Sequence, residues 1–335
     1  MKQKYNLFFL AVGLIAIAIM IADIGIGTIS DNIRKTSWFF LAIIAVRLPV
    51  YFLNTLSWQK VSLHPNGEND NPNFWRFFQM TISGYAINYI TPVVALGGEP
   101  YRILRLKDYV GYKRATSSVV MYAVIHILSH FIFWAIGFGL ILFYPDISMS
   151  FRIVSIVFIL ICILAALFIS KFYRKGIVYG FFCFLMKIPF IKIWARKKMT
   201  EEFANNLKEI DFQIKDFYIN HRKAFLSALF LETLSRIVGC LEILLIMLAI
   251  DLKINLEQSI IISAGTSLFA NILFFSPMQL GTKEGGLILS LKSIALPATQ
   301  GIYIGLAMRI SELFWIILGV LMIKFCAKRK AYDVG

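Results

Sequence analysis

Long apolar runs alternate with short polar and basic segments along the whole chain. A membrane-spanning helix needs about 20 mainly apolar residues, and several segments meet this requirement. They are Leu7–Ile29, Trp38–Trp58, Ala115–Tyr144, Phe151–Phe172, Ala224–Ile250, Gln258–Phe275 and Ile302–Phe325. The pattern therefore predicts an all-α fold, a polytopic helical membrane bundle that forms a single integral membrane domain over residues 1–335.

Two further apolar stretches do not fit a simple membrane crossing. Phe74–Leu106 is interrupted by Pro92, by Pro100 and by glycines between them, and Leu287–Leu296 is too short to cross by itself. Glycine permits a tight turn, and proline is favoured at the start of a helix. We expect both stretches to belong to re-entrant or broken-helix hairpins.

Composition and charge narrow the function classes. Hydrophobic residues make up 59% of the chain and charged residues 16%, whereas soluble domains average about 45–50% and about 25%. This balance excludes a soluble enzyme domain. The net charge of +15 would suggest nucleic-acid binding in a soluble protein, but here Lys and Arg lie mostly between the apolar runs. Their placement indicates membrane topology and attraction to anionic lipids, with no nucleic-acid partner.

The basic segments also predict the orientation of the bundle. They are Lys2/Lys4, Arg102–Arg114, Lys171–Lys175, Lys192–Lys198, Arg222/Lys223 and Lys324–Lys330. The positive-inside rule assigns them to the cytoplasm, so both termini are expected there, with a basic amphipathic segment over residues 191–222. Only Arg34 and Lys35 argue against this scheme. In this orientation the two hairpins enter the membrane from opposite faces and turn near Pro92–Pro100 and Pro277–Gly286.

The two hairpin regions share a sequence pattern. Thr91–Glu99 and Ser276–Glu284 each read Ser or Thr, then Pro, then six residues, then Glu, and Asn88 or Asn271 precedes the proline. Polar residues follow at matching positions of the next long helix, at His126 and Arg309. With opposite entry sides, this predicts an inverted repeat with halves at 74–144 and 258–326. Secondary transporters of that architecture bind substrate at broken helices.

Candidate binding residues cluster at the first hairpin turn. Gly97 and Gly98 permit non-helical backbone, which a membrane tolerates only where protein or water surrounds it. The amides at the start of the returning helix and Arg102 are suited to bind a phosphate. Glu99 is suited to pair with Arg102 or to exchange a proton, and Asn88 precedes the turn. The alternative interpretation is a solvated cytoplasmic loop.

The second hairpin turn offers Lys283 and Glu284 at its own helix start. They are candidates for the same chemistry. The alternative is an ordinary external ion pair, worth under about 1 kcal/mol.

Charged residues also lie inside predicted spans. Glu232 and Arg236 are four residues apart, so they share a helix face and can neutralise each other. Arg309 and Glu312 are three apart on the last span, and Arg47 lies in the second span. Charges at such depth usually face a cavity or a partner, so these residues form either part of a substrate site or internal ion pairs that fix helix packing.

His126 and His130 form H-x-x-x-H on one helix face, a spacing that can bind zinc. No third ligand is evident, so we expect hydrogen bonds across the bundle and no metal. No Ser-His-Asp set, Walker loop or dinucleotide fingerprint is found in a suitable context. We therefore expect no catalytic residue and no cofactor.

These motifs together resemble the transmembrane domain of the lysylphosphatidylglycerol synthase and flippase family. The matching residues are Asn88…Pro92…Gly97-Gly98-Glu99-Pro100-Tyr101-Arg102 and Pro277…Gly281-Thr282-Lys283-Glu284, with Arg309 on the closing helix. Two departures stand out. Met121-Tyr122-Ala123 lies where many members carry a Glu-Arg pair, which puts headgroup chemistry in doubt. The chain also stops at Gly335, without the large soluble domain of the aminoacyl-transferring members, so lysyl transfer is not expected.

The resemblance implies a bacterial inner-membrane protein that moves an anionic phospholipid or a polyprenyl-phosphate-linked lipid between leaflets. Cationic side chains along a polar path would bind the phosphate, and carboxylates would balance their charge. The cations are Arg102, Lys283, Arg309 and Arg236, and the carboxylates are Glu99, Glu284 and Glu232. One alternative is a membrane-embedded transferase acting on a lipid-linked substrate. Another is an accessory subunit of a separate lipid-modifying enzyme, and an oligomer is compatible with each reading.

Overall fold

The computed structural model describes most of the bundle and leaves out several connections. The described residues are 38–62, 72–90, 97–145, 147–173, 178–187, 199–272 and 281–325, with single positions at 26, 27, 30, 34, 36 and 279. Most of the predicted span Leu7–Ile29 lies outside them, as do the basic segments at 192–198 and 326–330. The predicted hairpin turns Pro92–Pro100 and Pro277–Gly286 are described only at residues 97–100, 279 and 281–286. All regular structure in the described residues is helical, which confirms the all-α class.

The helices follow the apolar runs of the sequence. In chain order they are α1 Phe39–Ser62, α2 Phe74–Ile90, α3 Gly98–Val110, α4 Tyr112–Phe143, α5 Met149–Tyr173, α6 Val178–Leu185, α7 Glu201–Asn220, α8 Arg222–Gly239, α9 Leu241–Leu248, α10 Leu256–Ile272, α11 Thr282–Ser293 and α12 Gln300–Phe325. Among the described residues, α1, α4, α5 and α12 are long and apolar enough to cross a membrane. The chain is thus a multi-pass membrane protein.

The predicted span Ala224–Ile250 is divided in two. Helix α8 ends at Gly239 and α9 begins at Leu241, with Cys240 between them. The Cys240 amide contacts the carbonyls of both Arg236 and Ile237, at 3.2 and 3.1 Å. Its carbonyl accepts a hydrogen bond from the Ser259 hydroxyl. Glycine is unfavourable in the interior of a helix. The break therefore lies where Gly239 weakens the helix and the Ser259 hydroxyl bonds to the adjacent carbonyl group.

Helices α2 and α3 form the first hairpin, and α10 and α11 form the second. In the first, Gly98 meets Asn88 and Arg102 meets Gly84, which is antiparallel pairing. The second is arranged alike, since Gly286 packs on Thr266 in α10. At about 1.5 Å per residue, α3 and α11 are about 18–20 Å long, shorter than the roughly 30 Å hydrocarbon core.

Each hairpin packs on the long helix that follows the other hairpin. Helix α2 lies against α12, where a Cβ added at Gly319 would come 2.6 Å from the Ala86 Cβ. Helix α10 lies against α4, where an added Cβ at Gly137 would overlap the Ala264 side chain. Small residues at such crossings let two helix backbones approach closely. Through this exchange, each hairpin contacts a long helix from the other region of the chain.

Helix α7 is an amphipathic element within the segment predicted at 191–222. It begins at Thr200, whose hydroxyl accepts a 3.2 Å hydrogen bond from the Phe203 amide, and it buries Ile210 and Ile214 against α4 and α8. Its Asp211 carboxylate accepts from the amides of Val178 and Tyr179, at 2.8 and 2.9 Å. Helix α7 itself carries five acidic and two basic residues, and four basic residues of this segment precede it, at Lys192 and Arg196–Lys198.

Candidate functional site

Three aromatic rings surround the guanidinium group of Arg102 on helix α3. Its Cζ lies 4.8 Å from the ring centroid of Tyr85, 5.3 Å from Tyr122 and 5.5 Å from Trp58. We call this group of four residues the arginine cage. The rings come from α2, α4 and α1, and their negative faces stabilise a cation where solvent is excluded. Arg102 is 2% exposed.

The cage leaves Arg102 with unused hydrogen-bond donors. Its Nε and Nη2 are buried and have no hydrogen-bond partner among the described residues. Its Nη1 lies 3.8 Å from the Glu99 Oε1, as the sequence suggested, but beyond direct hydrogen-bond distance. Gly84 makes room for the side chain, since an added Cβ there would lie 2.5 Å from the Arg102 Nε. A buried cation with free donors is suited to bind an anion.

Asn88 connects the two helices of the first hairpin by hydrogen bonds. Its Oδ1 accepts a 2.6 Å hydrogen bond from the Gly98 amide, and its Nδ2 donates to the Glu99 Oε1 at 3.0 Å. A Cβ at Gly98 would overlap the Gly84 carbonyl and the Asn88 side chain, so this contact needs glycine. Gly97 precedes the helix with ordinary helical backbone angles. The hairpin thus uses the Gly98 amide internally, whereas the Nε and Nη2 donors of Arg102 have no partner among the described residues.

Glu232 lies at the centre of a second polar group beside the cage. It is fully buried and contacts the Asn54 Nδ2 at 3.0 Å, the His126 Nδ1 at 2.6 Å and the Tyr122 hydroxyl at 3.3 Å. Asn54 also donates to the Tyr85 hydroxyl at 2.8 Å. Arg236 donates to the Ser129 hydroxyl at 2.7 Å and to the His126 carbonyl at 3.0 Å. Glu232 and Arg236 are thus bridged through His126 rather than paired directly.

Glu312 on α12 is the centre of a third polar group. It forms an ion pair with Lys283 of the second hairpin and another, at 3.1 Å, with Arg47 of α1. Arg47 also binds the Glu242 carboxylate with two hydrogen bonds of 3.1 and 2.9 Å. The Tyr89 hydroxyl of the first hairpin donates to Glu312 at 2.5 Å. Both hairpins therefore contact one buried carboxylate.

Arg309 and Glu284 form an ion pair between α12 and the second hairpin. The Arg309 Nε lies 2.6 Å from the Glu284 Oε1, and the Gly281 amide donates to the other carboxylate oxygen at 2.9 Å. Gly305 lets Glu284 approach, since a Cβ there would lie 3.0 Å from the Glu284 Cγ. Lys283 and Glu284, considered above as a local ion pair, instead bind different residues of α12.

The two hairpins differ in their electrostatics. Lys283 and Arg309 each make a close ion pair, and Arg47 makes two. In the described residues around the second hairpin, three cations thus face the three carboxylates Glu242, Glu284 and Glu312. Arg102 instead faces aromatic rings and a more distant carboxylate. Of the predicted phosphate-binding cations, only Arg102 has buried guanidinium nitrogens that lack a partner in the described structure.

The two histidines lie in a column with Trp134 along α4. The His126 and His130 ring centroids are 5.1 Å apart, and the His130 Nδ1 contacts the Ser267 hydroxyl at 3.3 Å. The contact of His130 with Ser267 and that of His126 with Glu232 are hydrogen bonds between helices. Within the described ranges, no three His, Cys, Asp or Glu side chains are placed to hold a metal ion.

Several residues of the site were not among the predicted binding residues. They are Trp58, Tyr85 and Tyr122 of the cage, with Asn54 and Tyr89 of the neighbouring groups. Tyr85 lies three residues before Asn88, and Tyr122 lies four residues before His126. Helical spacing from the predicted polar positions would have pointed to Tyr85 and Tyr122.

Comparisons with known proteins agree with the membrane fold. Residues 6–319 match the protein family described as "Lysylphosphatidylglycerol synthase TM region". A "UPF0104 membrane protein" of Methanothermobacter thermautotrophicus is 30% identical over 178 residues, which is 51% of this chain and 51% of that protein. The matched region thus spans about half the length of this relative. No solved structure matches the chain.

Proposed function

Since this chain belongs to the lysylphosphatidylglycerol synthase transmembrane-region family, we propose that it moves an anionic lipid between the two leaflets of a membrane. The lipid is an anionic phospholipid or a polyprenyl-phosphate-linked lipid, and its phosphate is the group recognised. The observation that carries this proposal is the buried guanidinium group of Arg102, which keeps donors free within its aromatic cage.

A lipid phosphate needs a cationic partner inside the bundle. A charge at the bilayer centre costs about 2.5–3.5 kcal/mol or more when it is unpaired. Arg102 offers a charge-assisted bond through a planar fork of donors, which suits phosphate oxygens. The rings of Tyr85 and Tyr122 hold the cation without an acidic group at hydrogen-bond distance, so an arriving phosphate has no close carboxylate to displace.

We assign Glu99 to the empty arginine cage, and Lys283 and Arg309 to later steps of transport. Glu99 is the acidic neighbour of Arg102, with a side chain 26% exposed, and it balances the cation while the site is empty. Lys283 and Arg309 are held by Glu312 and Glu284. These ion pairs must open before either cation binds phosphate, so we place the second hairpin after the arginine cage in the transport cycle.

An inverted repeat would provide the alternating access that such transport needs. Its support is the exchanged packing of the hairpins and their meeting at Glu312 through Tyr89 and Lys283. Inverted-repeat transporters rock one half against the other around a site at broken helices. We propose the same here, with the hairpins entering from opposite faces of a bacterial cytoplasmic membrane and both termini in the cytoplasm.

Leaflet exchange in proteoliposomes that contain only this chain tests the proposal. Labelled phosphatidylglycerol, a polyprenyl phosphate and zwitterionic phosphatidylcholine would be compared at equal protein density. We expect faster exchange of the two anionic lipids than of phosphatidylcholine, because only they carry a net charge for Arg102 to neutralise. No exchange of any lipid by well-folded protein would overturn the proposal. An accessory subunit or a transferase would then account for the chain.

A further inference from the structure

A small cavity lies between helices α1, α4 and α7, apart from the residues discussed so far. Its volume is about 140 Å³. Its polar lining consists of Ser62, Arg114, Ser117, Ser118 and Gln213, and apolar side chains of the same helices complete the wall. Pockets for drug-sized ligands measure about 300–1,000 Å³. The cavity therefore suits one small polar group and excludes a whole lipid.

The lining has the chemistry of an anion site. It contains one cation, three hydroxyls and one amide, and no carboxylate. The Arg114 Nε is buried and has no hydrogen-bond partner among the described residues. The neighbouring acidic residues on α7 have other partners. They are Glu209, which binds the Lys113 Nζ at 2.5 Å, Asp211, which binds the amides of Val178 and Tyr179 at 2.8 and 2.9 Å, and Asp216, which binds the Asn220 Nδ2 at 2.7 Å.

The other polar groups are oriented by neighbouring contacts. The Ser117 hydroxyl lies 2.7 Å from the Gln213 Oε1, so the amide nitrogen of Gln213 is left as a donor. The Ser118 Oγ lies 2.5 Å from the Ser62 Oγ and accepts a 3.1 Å hydrogen bond from the Trp58 indole. Arginine and amide donors in a partly enclosed site bind phosphate oxygens well.

We propose that this cavity binds a phosphate group, with Arg114 as its cationic ligand and the amide nitrogen of Gln213 as a neutral donor. Trp58 connects it to the arginine cage, since its ring faces Arg102 while its indole N–H contacts Ser118. In the proposed transport cycle, the lipid headgroup binds in this cavity before it reaches Arg102. That role rests on the proposed function, whereas phosphate binding itself does not.

The phosphate can come from a lipid headgroup or from free phosphate in solution. The test therefore uses the full chain in nanodiscs of phosphatidylcholine alone. One arm adds inorganic phosphate, and the other replaces part of the lipid with phosphatidylglycerol. Binding is measured by the shift of the melting temperature with ligand concentration. A shift with inorganic phosphate identifies free phosphate as a ligand, and a shift with phosphatidylglycerol alone identifies the headgroup.

Arg114→Gln is compared with Lys215→Gln, which removes the same charge from an exposed residue of α7 outside the cavity lining. A hydrogen bond to a charged group is worth about 1.5–3 kcal/mol, so we expect affinity to fall about tenfold or more in Arg114→Gln. Lys215→Gln should bind as the native chain does. Arg114→Lys, which keeps the charge but loses the fork, should bind with intermediate affinity.

Equal binding by the native chain, Arg114→Gln and Arg114→Lys would overturn the site, as would binding of neither ligand by the native chain. If Arg114→Gln does not fold, native-like binding by Arg114→Lys would contradict the proposed role of the Nε donor. The assay includes no transport step. Binding without leaflet exchange would therefore keep this site and remove the proposed function, and the reverse result would do the opposite.

Discussion

The Tyr89 hydroxyl donates a 2.5 Å hydrogen bond to Glu312, and the other oxygen of that carboxylate binds Lys283. Tyr89 belongs to the first hairpin and Lys283 to the second, although 194 positions separate them in the chain. One buried carboxylate of α12 thus contacts both hairpins. A change of position in either hairpin would alter the contacts of Glu312, so we expect Glu312 to couple the positions of the two hairpins.

Breaking the Lys283–Glu312 ion pair from one side should destabilise the bundle. Lys283→Gln leaves Glu312 with less positive charge in a buried site, and removing one partner of a buried pair costs about 3–5 kcal/mol. The double variant Lys283→Gln/Glu312→Gln should lose much less than the sum of the single losses, because neither charge is then left alone. Thermal melting in detergent measures the double-mutant cycle.

The control for this cycle is Lys292→Gln, which removes an exposed cation from the same helix α11. It should melt close to the native chain, since surface charges contribute little. Strictly additive losses in the cycle would show that Lys283 and Glu312 do not interact, and would remove Glu312 as a coupling point.

Gly84→Ala should impair transport while the bundle still folds. The new Cβ would lie 2.5 Å from the Arg102 Nε and 3.1 Å from its Cγ, so the Arg102 side chain must move out of its position in the arginine cage. A flexible side chain can move at little cost to the fold. We expect lipid exchange to fall as it does when Arg102 itself is replaced, with little change in melting temperature.

Gly139→Ala is the matched control, since nothing lies within 4 Å of an added Cβ there. It should exchange lipid as the native chain does. Unchanged lipid exchange in Gly84→Ala would mean that the position of Arg102 in the arginine cage is irrelevant to transport.

Gly319→Ala should destabilise the crossing of α2 and α12. An added Cβ would lie 2.8 Å from the Ile82 carbonyl oxygen, and that backbone atom cannot simply rotate away. Overpacking of this kind costs about 1–3 kcal/mol. Gly139→Ala lies in an open helical position, where alanine is favoured over glycine by about 0.5–1 kcal/mol. The two variants should therefore shift the melting temperature in opposite directions, and equal shifts would contradict the close helix contact.

The sequence predicted the helices well, because apolar runs of membrane length report burial in lipid directly. Where the prediction from sequence failed, the cause is also physical. The break at Cys240 coincides with a hydrogen bond from the Ser259 hydroxyl, a contact that no local pattern could supply. Most of the predicted first span and parts of both predicted hairpin turns lie outside the described residues, so their structure remains a prediction.

The site was only partly predictable, because its residues come from distant parts of the chain. Arg102 stood out as a cation beside a glycine turn, but the rings that hold it come from three helices and meet only after folding. Lys283 and Glu284 are adjacent in sequence, which suggested a shared role. Successive residues of a helix point about 100° apart, and the two side chains accordingly reach different residues of α12.

The most direct test of the account is lipid exchange by Arg102→Gln beside Lys107→Gln. Both variants remove one positive charge from α3, but Lys107 lies more than a turn beyond the cage. Both proteins would be reconstituted at equal density, and exchange of labelled phosphatidylglycerol between leaflets would be followed. We expect Arg102→Gln to slow exchange about tenfold or more, as the loss of a charge-assisted bond requires, and Lys107→Gln to exchange at the native rate. Equal rates in the two variants would contradict a phosphate-binding role for the arginine cage.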